Sequence, residues 1–249
     1  TFSFNVVEIP CNGYTTGEIT GNVSGGANGP DMGTYVWSGP GVTGTTLPTI
    51  SGLGIGTYTL NISDNNGCLF SDDYIMQEPT PIVLTTSSTA TTCFETTDGT
   101  ATVTASGGIG PYTYIWNNSQ TFPTAINLGG DILSVGGQPY TVSVQDANGC
   151  AGGVATSYVF APDPIATYFT GGNNVTCNGG SDGELSGMYS TGGSGSTYLY
   201  SINGSLPFVP ALPSYTGLSA GPFTVIAQDI NGCLGTTVEN ILASSAIDV

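Results

Sequence analysis

Six cysteines are the residues of this chain whose type and spacing point most directly to a chemical role. Cys11, Cys93 and Cys177 lie 57, 57 and 56 residues before the other three cysteines. Internal repetition favours one bond inside each repeat, because a self-contained unit closes its own bridge. The predicted disulfides are Cys11–Cys68, Cys93–Cys150 and Cys177–Cys233. The alternative is three pairs of buried free thiols, and a zinc site is disfavoured because the sequence has neither CxxC spacing nor histidine.

Five aspartates recur in step with the cysteines and form a second candidate site. Asp64, Asp146 and Asp229 stand in the turns before the later cysteines, each close to an asparagine, and Asp98 and Asp182 stand just before the second strand of their repeats. Calcium prefers oxygen ligands of this kind, so these five residues are candidate calcium ligands. The alternative is that each aspartate caps its turn by accepting backbone N–H bonds. Capping is favoured because the sequence has no dense Asp-x-Asp-x-Asp loop.

The later cysteines follow a pattern that predicts the elements holding them. Tyr58–Cys68, Tyr140–Cys150 and Phe223–Cys233 each alternate apolar and polar residues and then reach Asn-Gly and a cysteine. Alternation indicates a strand with one buried face, and Asn-Gly is typical of a two-residue turn in which both residues have positive φ. Each copy is therefore predicted to be a β-hairpin whose second strand opens with the cysteine.

The charge of the chain excludes several classes of function. There is no Lys, Arg or His among 249 residues, against 17 Asp plus Glu. Nucleic-acid binding is excluded because its affinity comes largely from Lys and Arg that neutralise phosphates. The same acidity argues against direct contact with an anionic membrane. Ser-His, Cys-His and Schiff-base catalysis lack their residues, so we predict that the chain is not an enzyme. We also predict that it requires no cofactor, and calcium is the one candidate metal ion.

The spacing of turns and strands predicts an all-β protein. Six or seven short strands in each repeat of about 82 residues are typical of an immunoglobulin-like β-sandwich, and no stretch has the 3.6-residue period of a helix. We expect Trp37 and Trp116, with Tyr198 or Tyr200 in the third repeat, to pack in the cores. Short junctions between repeats favour an extended rod. The predicted repeats are 1–80, 81–163 and 164–246, and residues 247–249 begin a following repeat.

Residues 93–150 carry a combination of motifs that resembles the SprB-type repeat of Bacteroidetes gliding and cell-surface adhesins. The motifs are Asp-Gly-Thr-Ala-Thr-Val-Thr-Ala-Ser-Gly-Gly, Pro-Tyr-Thr-Tyr-Ile-Trp and the hairpin ending in Asp-Ala-Asn-Gly-Cys. The first repeat departs from the pattern with Gly17-Glu18, and the third lacks the tryptophan. The resemblance implies a very long protein of the bacterial cell surface, exported by the type IX secretion route, whose repeats form an extended extracellular filament. It supplies no catalytic residues.

These observations predict a structural stalk segment of a long cell-surface adhesin that serves adhesion or gliding motility. Its expected partners are neighbouring repeats of the same chain or filament, and surface glycans are a further candidate. One alternative is the protomer of an extracellular fibre or sheath assembled by β-strand addition. The other is a carbohydrate-binding or ice-binding module, which would show an unusual flat or aromatic face in one repeat only.

Overall fold

The computed structural model describes residues 2–24, 34–64, 66–132, 135–204, 207–212 and 214–243. These residues form 23 strands and, within the described ranges, no α-helix. The all-β prediction is therefore confirmed. The predicted start of a fourth repeat at 247–249 lies outside the described residues.

The first repeat is a sandwich of two antiparallel sheets. One sheet has the order β1-β2-β5 and the other β4-β3-β6-β7, which is the strand arrangement of immunoglobulin-type domains. Ile19 of the first sheet and Trp37 and Leu60 of the second are fully buried in one shared core. The strands are β1 (Phe2–Val7), β2 (Gly17–Val23), β3 (Tyr35–Gly39), β4 (Val42–Thr45), β5 (Thr49–Leu53), β6 (Gly56–Ser63) and β7 (Leu69–Met76).

The second repeat has the same order of strands as the first except at the edges of its second sheet, where its described residues form no counterpart of β4 and add one short strand. Its sheets are β11-β9-β8 and β10-β13-β14-β12, in which the two-residue β12 runs parallel to β14. Trp116 is buried, and its indole N–H donates to the carbonyl oxygen of Phe122 at 2.9 Å. The strands are β8 (Val83–Thr89), β9 (Gly99–Ser106), β10 (Thr113–Trp116), β11 (Thr124–Leu128), β12 (Asp131–Ile132), β13 (Gln138–Gln145) and β14 (Ala151–Ala161).

The third repeat divides its first sheet into two. The sheets are β15-β18, β16-β17-β21 and β20-β19-β22-β23. Register places Ile202 opposite Val225, which is the position of Trp37 and Trp116 in the other repeats. Tyr200 is buried two residue pairs further along, opposite Ala227. The strands are β15 (Ala166–Tyr168), β16 (Gly171–Asn173), β17 (Gly183–Ser186), β18 (Tyr189–Thr191), β19 (Leu199–Ile202), β20 (Val209–Pro210), β21 (Ser214–Leu218), β22 (Gly221–Gln228) and β23 (Leu234–Ile241).

The chain divides into two compact units whose limits do not fall between repeats. The first unit comprises Thr1–Thr85, Val103–Phe122 and Val142–Ala155, and the second comprises Thr86–Thr102, Pro123–Thr141 and Thr156–Val249. Both tryptophans belong to the first unit. The repeat limits at 1–80, 81–163 and 164–246 stay predictions from the sequence.

The three hairpins form where the alternation predicted them, but the turn type was wrong. Among the described residues of these turns only the glycines have positive φ, which is 82° at Gly67, 78° at Gly149 and 84° at Gly232. In each turn the glycine N–H donates to the aspartate carbonyl three residues earlier, at 3.0 to 3.1 Å. This is a type I turn that ends in a glycine bulge. The extra residue moves the start of the second strand to the residue after the cysteine, as in β14, which begins at Ala151.

Candidate functional site: the disulfide junctions

The disulfides join successive repeats rather than closing within them. Cys11 is bonded to Cys150 and Cys93 to Cys233, over sequence separations of 139 and 140 residues. Their Cα atoms lie 5.6 and 5.4 Å apart, within the usual range for a disulfide. The two remaining cysteines are free and exposed. The predicted pairs Cys11–Cys68, Cys93–Cys150 and Cys177–Cys233 are therefore wrong.

The sandwich topology explains why a repeat does not close its own bridge. Gly17 pairs with Leu53 and Gly56 with Met76, so the loop that carries Cys11 lies at the end of the sandwich where β6 begins. Cys68 follows the other end of β6, which is eight residues long. At ~3.3 Å per residue this strand separates the two ends by about 25 Å. A disulfide requires Cα atoms within about 7 Å.

The third repeat has the same separation between its two cysteines. The backbone N–H of Val175, two residues before Cys177, donates to the carbonyl oxygen of Leu242 at 3.2 Å, just beyond the end of β23. Cys233 immediately precedes Leu234, the first residue of that eight-residue strand. Each repeat thus carries one cysteine at each end, and a bond forms between ends of different repeats.

An aspartate holds the turn in front of each hairpin cysteine. Oδ1 of Asp146 accepts the backbone N–H groups of Asn148 and Cys150, both at 2.9 Å. Asp229 accepts the corresponding N–H groups of its hairpin, also at 2.9 Å. Asp64 does so at 2.9 and 2.8 Å. The carboxylate therefore fixes the backbone at the residue that forms the bond.

The second oxygen of two of these aspartates ties the hairpin to a neighbouring loop. Oδ2 of Asp146 accepts the N–H of Ile109 at 3.0 Å, and Oδ2 of Asp229 accepts the N–H of Ser194 at 2.8 Å. The Ile109 N–H is the main reason that the pKa of Asp146 lies below its usual value, and the N–H bonds of Cys150 and Asn148 add to it against the opposing effect of desolvation. Asp146 and Asp229 are only 4% and 5% exposed, so the bonds between hairpin and loop are shielded from water.

The loop glycines beside these carboxylates allow a very close approach. Gly108 and Gly193 have φ of +59° and +65°. A Cβ atom would lie 2.7 Å from Oδ2 of Asp146 at Gly108 and 2.6 Å from Oδ2 of Asp229 at Gly193. Only glycine accommodates both the backbone conformation and the contact. The sequence signal for this feature is the Gly-Gly pair that recurs before β10 in the second repeat and before β19 in the third.

The first cysteine of each repeat also lies in a turn that recurs. The carbonyl oxygen of Cys11 accepts the N–H of Tyr14 at 3.2 Å, and that of Cys177 accepts the N–H of Gly180 at 2.8 Å. The residue two places after the cysteine has positive φ in all three copies. Those residues and their φ values are Gly13 (75°), Glu95 (63°) and Gly179 (81°).

Threonine and aspartate brace this turn in the second and third repeats. Asp98 accepts the backbone N–H of Thr92 at 3.0 Å and also the hydroxyl groups of Thr92 and Thr96. The hydroxyl bond from Thr92 is the largest cause that lowers the pKa of Asp98 to about 2. Asp182 accepts the backbone N–H of Thr176 at 3.0 Å and its hydroxyl group, which likewise lower its pKa.

Polar contacts between the joined repeats accompany each disulfide. Nδ2 of Asn148 donates to the carbonyl oxygen of Pro10 at 3.0 Å, and Sγ of Cys150 lies 3.2 Å from the same oxygen. At the other junction the hydroxyl group of Ser194 donates to the carbonyl oxygen of Thr92 at 3.2 Å, and Sγ of Cys233 lies 3.2 Å from it. In both junctions the carbonyl oxygen of the residue before the first cysteine accepts a side-chain hydrogen bond from the repeat that carries the hairpin cysteine. We call this oxygen the common acceptor, and its role was not predicted from the sequence.

The structure does not assemble the candidate calcium ligands into one cluster. Within the part of the chain that is described, no three acidic or cysteine side chains group as a metal site. Asp64, Asp146 and Asp229 occupy separate hairpin turns, and Asp98 and Asp182 occupy separate loops. Calcium binding by these residues stays a prediction.

The strand order and the junctions define a disulfide-linked tandem of immunoglobulin-type repeats. Residues 85–121 match the family model of the SprB repeat, which confirms the resemblance drawn from the sequence. No curated protein sequence matches the chain significantly. In the described ranges, no helix is long and apolar enough to span a bilayer.

The chain is also similar to solved structures of tandem domains. One contains the three N-terminal domains of the highly immunogenic outer capsid protein (Hoc) of bacteriophage RB49, with 13% identity over 98% of this chain and 99% of that chain and a TM-score of 0.47. Another contains the N-terminal eight Ig domains of Down Syndrome Cell Adhesion Molecule, with 10% identity over 97% of this chain and 35% of that chain and a TM-score of 0.36. The immunoglobulin-type arrangement itself is established by the strand pairing and cores described above.

Proposed function

We propose that this chain is a non-catalytic stalk segment of a long bacterial cell-surface adhesin that serves adhesion or gliding motility. The SprB-type repeat and the disulfides are features of an extracellular structural module. The observation that carries the proposal is that the first cysteine of one repeat is bonded to the hairpin cysteine of the next repeat in both junctions. Such bonds suit a segment that transmits tension.

The two bonds create a short covalent route along the chain. Force that enters at Cys11 crosses to Cys150, follows the backbone 57 residues back to Cys93 and crosses to Cys233. At ~3.5 Å per residue this route extends to about 20 nm, whereas the unbridged backbone between Cys11 and Cys233 extends to about 80 nm. The bonds therefore limit how far the segment lengthens when its repeats unfold.

Single-molecule force spectroscopy tests this role. The Cys68→Ser/Cys177→Ser protein, pulled from its termini, should extend without reductant to about a third of the contour length that it reaches after reduction, because the residues before Cys11 and after Cys233 extend in both conditions. Both measurements use the same variant, so free thiols do not contribute. Equal extension in the two conditions would contradict the proposed mechanical role.

A replacement experiment separates a stalk from an adhesive tip. In the full-length protein on its own cells, this segment is exchanged for unrelated immunoglobulin-type domains of equal number. A stalk predicts that attachment and movement persist after the exchange and decline when the segment is deleted without replacement. Loss of attachment in the exchanged protein would assign ligand binding to the segment itself.

One observation favours glycan binding as a second candidate function. Tyr168 and Tyr189 face each other across β15 and β18, with ring centroids 5.3 Å apart and an interplanar angle of 25°. They are 47% and 48% exposed, and exposed tyrosine rings offer faces on which sugars stack. A glycan array probed with the purified chain and with Tyr168→Ala/Tyr189→Ala tests this function. Tyr14→Ala is the control, because Tyr14 is 52% exposed and lies in another repeat.

Assembly by β-strand addition has less in its favour. The edge strand β7 carries the exposed carboxylates of Asp72 and Asp73. Charged side chains on an edge strand oppose pairing with another chain.

A further inference from the structure

We propose that Cys68 and Cys177 are the complementary halves of a third junction of the same kind. In this junction Cys177 of one copy bonds to Cys68 of a second copy, so that molecules join head to tail. The inference goes beyond the stalk role and does not depend on it. It follows from the local structure at the two free cysteines, each of which matches a cysteine that is already bonded.

The hairpin of Cys68 has the geometry of the two bonded hairpins. The N–H of Asp64 donates to the carbonyl oxygen of Cys68 at 3.0 Å, and the matching distances at Cys150 and Cys233 are 3.1 and 3.0 Å. Oδ1 of Asp64 accepts the N–H of Cys68 at 2.8 Å, against 2.9 Å in the bonded hairpins. The turn therefore adopts its bonding conformation without a partner.

The loop of Cys177 likewise matches the loop of Cys93, which is bonded. Thr176 and Asp182 form the same pair of hydrogen bonds as Thr92 and Asp98, with the backbone bond at 3.0 Å in both. Thr176 precedes its cysteine as Thr92 does, so its carbonyl stands where the common acceptor of the junctions stands.

The side-chain amide that donates to this acceptor in the Cys11–Cys150 junction has a counterpart beside Cys68. Asn148 donates its side-chain amide to the carbonyl before Cys11, and Asn66 holds the same place two residues before Cys68. Asn66 is exposed, as are Cys68 and Cys177. Because both halves are preorganised, docking orders few further groups.

The bond forms by thiol–disulfide exchange with a small-molecule disulfide such as oxidised glutathione. The thiolate of Cys177 attacks oxidised glutathione and releases one reduced glutathione, which leaves a mixed disulfide. The thiolate of Cys68 on the second copy attacks the protein sulfur of that mixed disulfide and releases the second reduced glutathione. Two protein thiols lose two electrons and two protons, and both are recovered in the two glutathione thiols.

Two single variants test the pairing. Cys177→Ser leaves only Cys68 free, and Cys68→Ser leaves only Cys177 free. Each is incubated alone, and the two are mixed, in a glutathione redox buffer with about 0.5 M NaCl to screen the repulsion between acidic chains. Products are resolved on non-reducing gels and bridges are mapped by mass spectrometry, which also checks that Cys11–Cys150 and Cys93–Cys233 persist.

We expect the mixture to form a Cys68–Cys177 dimer at least about tenfold faster than either variant forms a homodimer, which corresponds to ~1.4 kcal/mol of docking energy. The unmodified chain should give a ladder of oligomers under the same conditions. Asn66→Ala should slow the mixed reaction, whereas Ser71→Ala on the exposed face of β7 should not.

Two results would overturn the proposal. One is formation of homodimers as fast as the mixed dimer, which would indicate non-specific oxidation of exposed thiols. The other is conversion of the unmodified chain to a monomer without free thiols, which would place Cys68 and Cys177 in a bond within one molecule.

Discussion

Asp146 and Ile109 are joined by a hydrogen bond in which the backbone N–H of Ile109 donates to Oδ2 at 3.0 Å. The bond connects the hairpin of Cys150 with the loop before β10, and Asp229 makes the equivalent bond to Ser194. Since the same aspartates also bind the N–H of their cysteines, each carboxylate positions a sulfur through the backbone. The junction is thus built around buried aspartates that no basic side chain neutralises.

The first prediction concerns the glycine against this carboxylate. Gly108→Ala should destabilise the chain because the new Cβ would lie 2.7 Å from Oδ2 of Asp146 and 2.8 Å from Cγ1 of Ile82. Gly41→Ala is the matched control, since Gly41 has φ of +72° and no atom within 4 Å of an added Cβ. Both lose about 1 kcal/mol to backbone strain, and overpacking should add at least ~1 kcal/mol at Gly108. Equal urea midpoints for the two variants would contradict the contact.

The second prediction is a pH dependence that originates at Asp98. Its folded pKa of about 2 lies below the ordinary value of 3.8, so its contribution to stability is present above about pH 4 and is lost as pH falls through the folded value. Asp98→Asn should therefore lower Tm at pH 7, and the difference from the unmodified chain should shrink towards pH 2. Asp72→Asn, which removes an exposed carboxylate on β7, controls for the change in net charge. A difference in Tm that is constant with pH would rule out this origin.

The third prediction concerns calcium. The hairpin aspartates already accept backbone N–H groups, and both oxygens of Asp146 are so occupied. We therefore expect Tm at pH 7 to be the same with calcium and with magnesium at equal ionic strength, and to be unaffected by a chelator after correction for salt. A rise specific to calcium that Asp146→Asn or Asp98→Asn abolishes would establish the metal site.

Local sequence patterns were sufficient to predict the elements of this fold. Alternation located β6 and β7 at Gly56–Ser63 and Leu69–Met76, and Trp37 and Trp116 are buried as expected. The pattern works for a strand such as β6 because one of its faces lies in a core and because a strand's side-chain period is two residues. The turn type was wrong because Asn-Gly fits two turn geometries, and the N–H bonds accepted by Asp64 and its counterparts select the longer one.

The pairing of the cysteines could not be obtained from spacing. The interval between the two cysteines of a repeat, such as Cys11 and Cys68, is constant whether the bonds form within repeats or between successive repeats. Both patterns recur with the repeat, so spacing does not distinguish them. The deciding fact is which end of the sandwich each cysteine occupies, and this depends on the pairing of β2 with β5 and of β6 with β7. Those registers are properties of the folded sheets.

The fourth prediction concerns a tyrosine at the start of β6. Tyr58 is fully buried, and its hydroxyl group donates to the carbonyl oxygen of Gly54 at 3.1 Å. Tyr58→Phe should lower the free energy of unfolding by about 1 kcal/mol, because the hydrogen bond is lost while the ring stays packed. Tyr14→Phe is the control, since Tyr14 is 52% exposed and its change should have little effect. Urea unfolding followed by tryptophan fluorescence measures both, and equal midpoints would contradict the role of the hydroxyl group.

The fifth prediction separates the contributions of the two disulfides. Replacing both cysteines of one bond by serine removes a loop of about 140 residues, for which the chain-entropy relation gives a loss of up to about 5 kcal/mol. Cys11→Ser/Cys150→Ser should lower the urea midpoint seen by tryptophan fluorescence, because that bond and both tryptophans belong to the first compact unit. Cys93→Ser/Cys233→Ser should lower the midpoint seen by circular dichroism and affect the tryptophan signal less, because that bond belongs to the second unit. An identical shift of the tryptophan midpoint in the two variants would mean that the units unfold together and that each bond stabilises the whole chain.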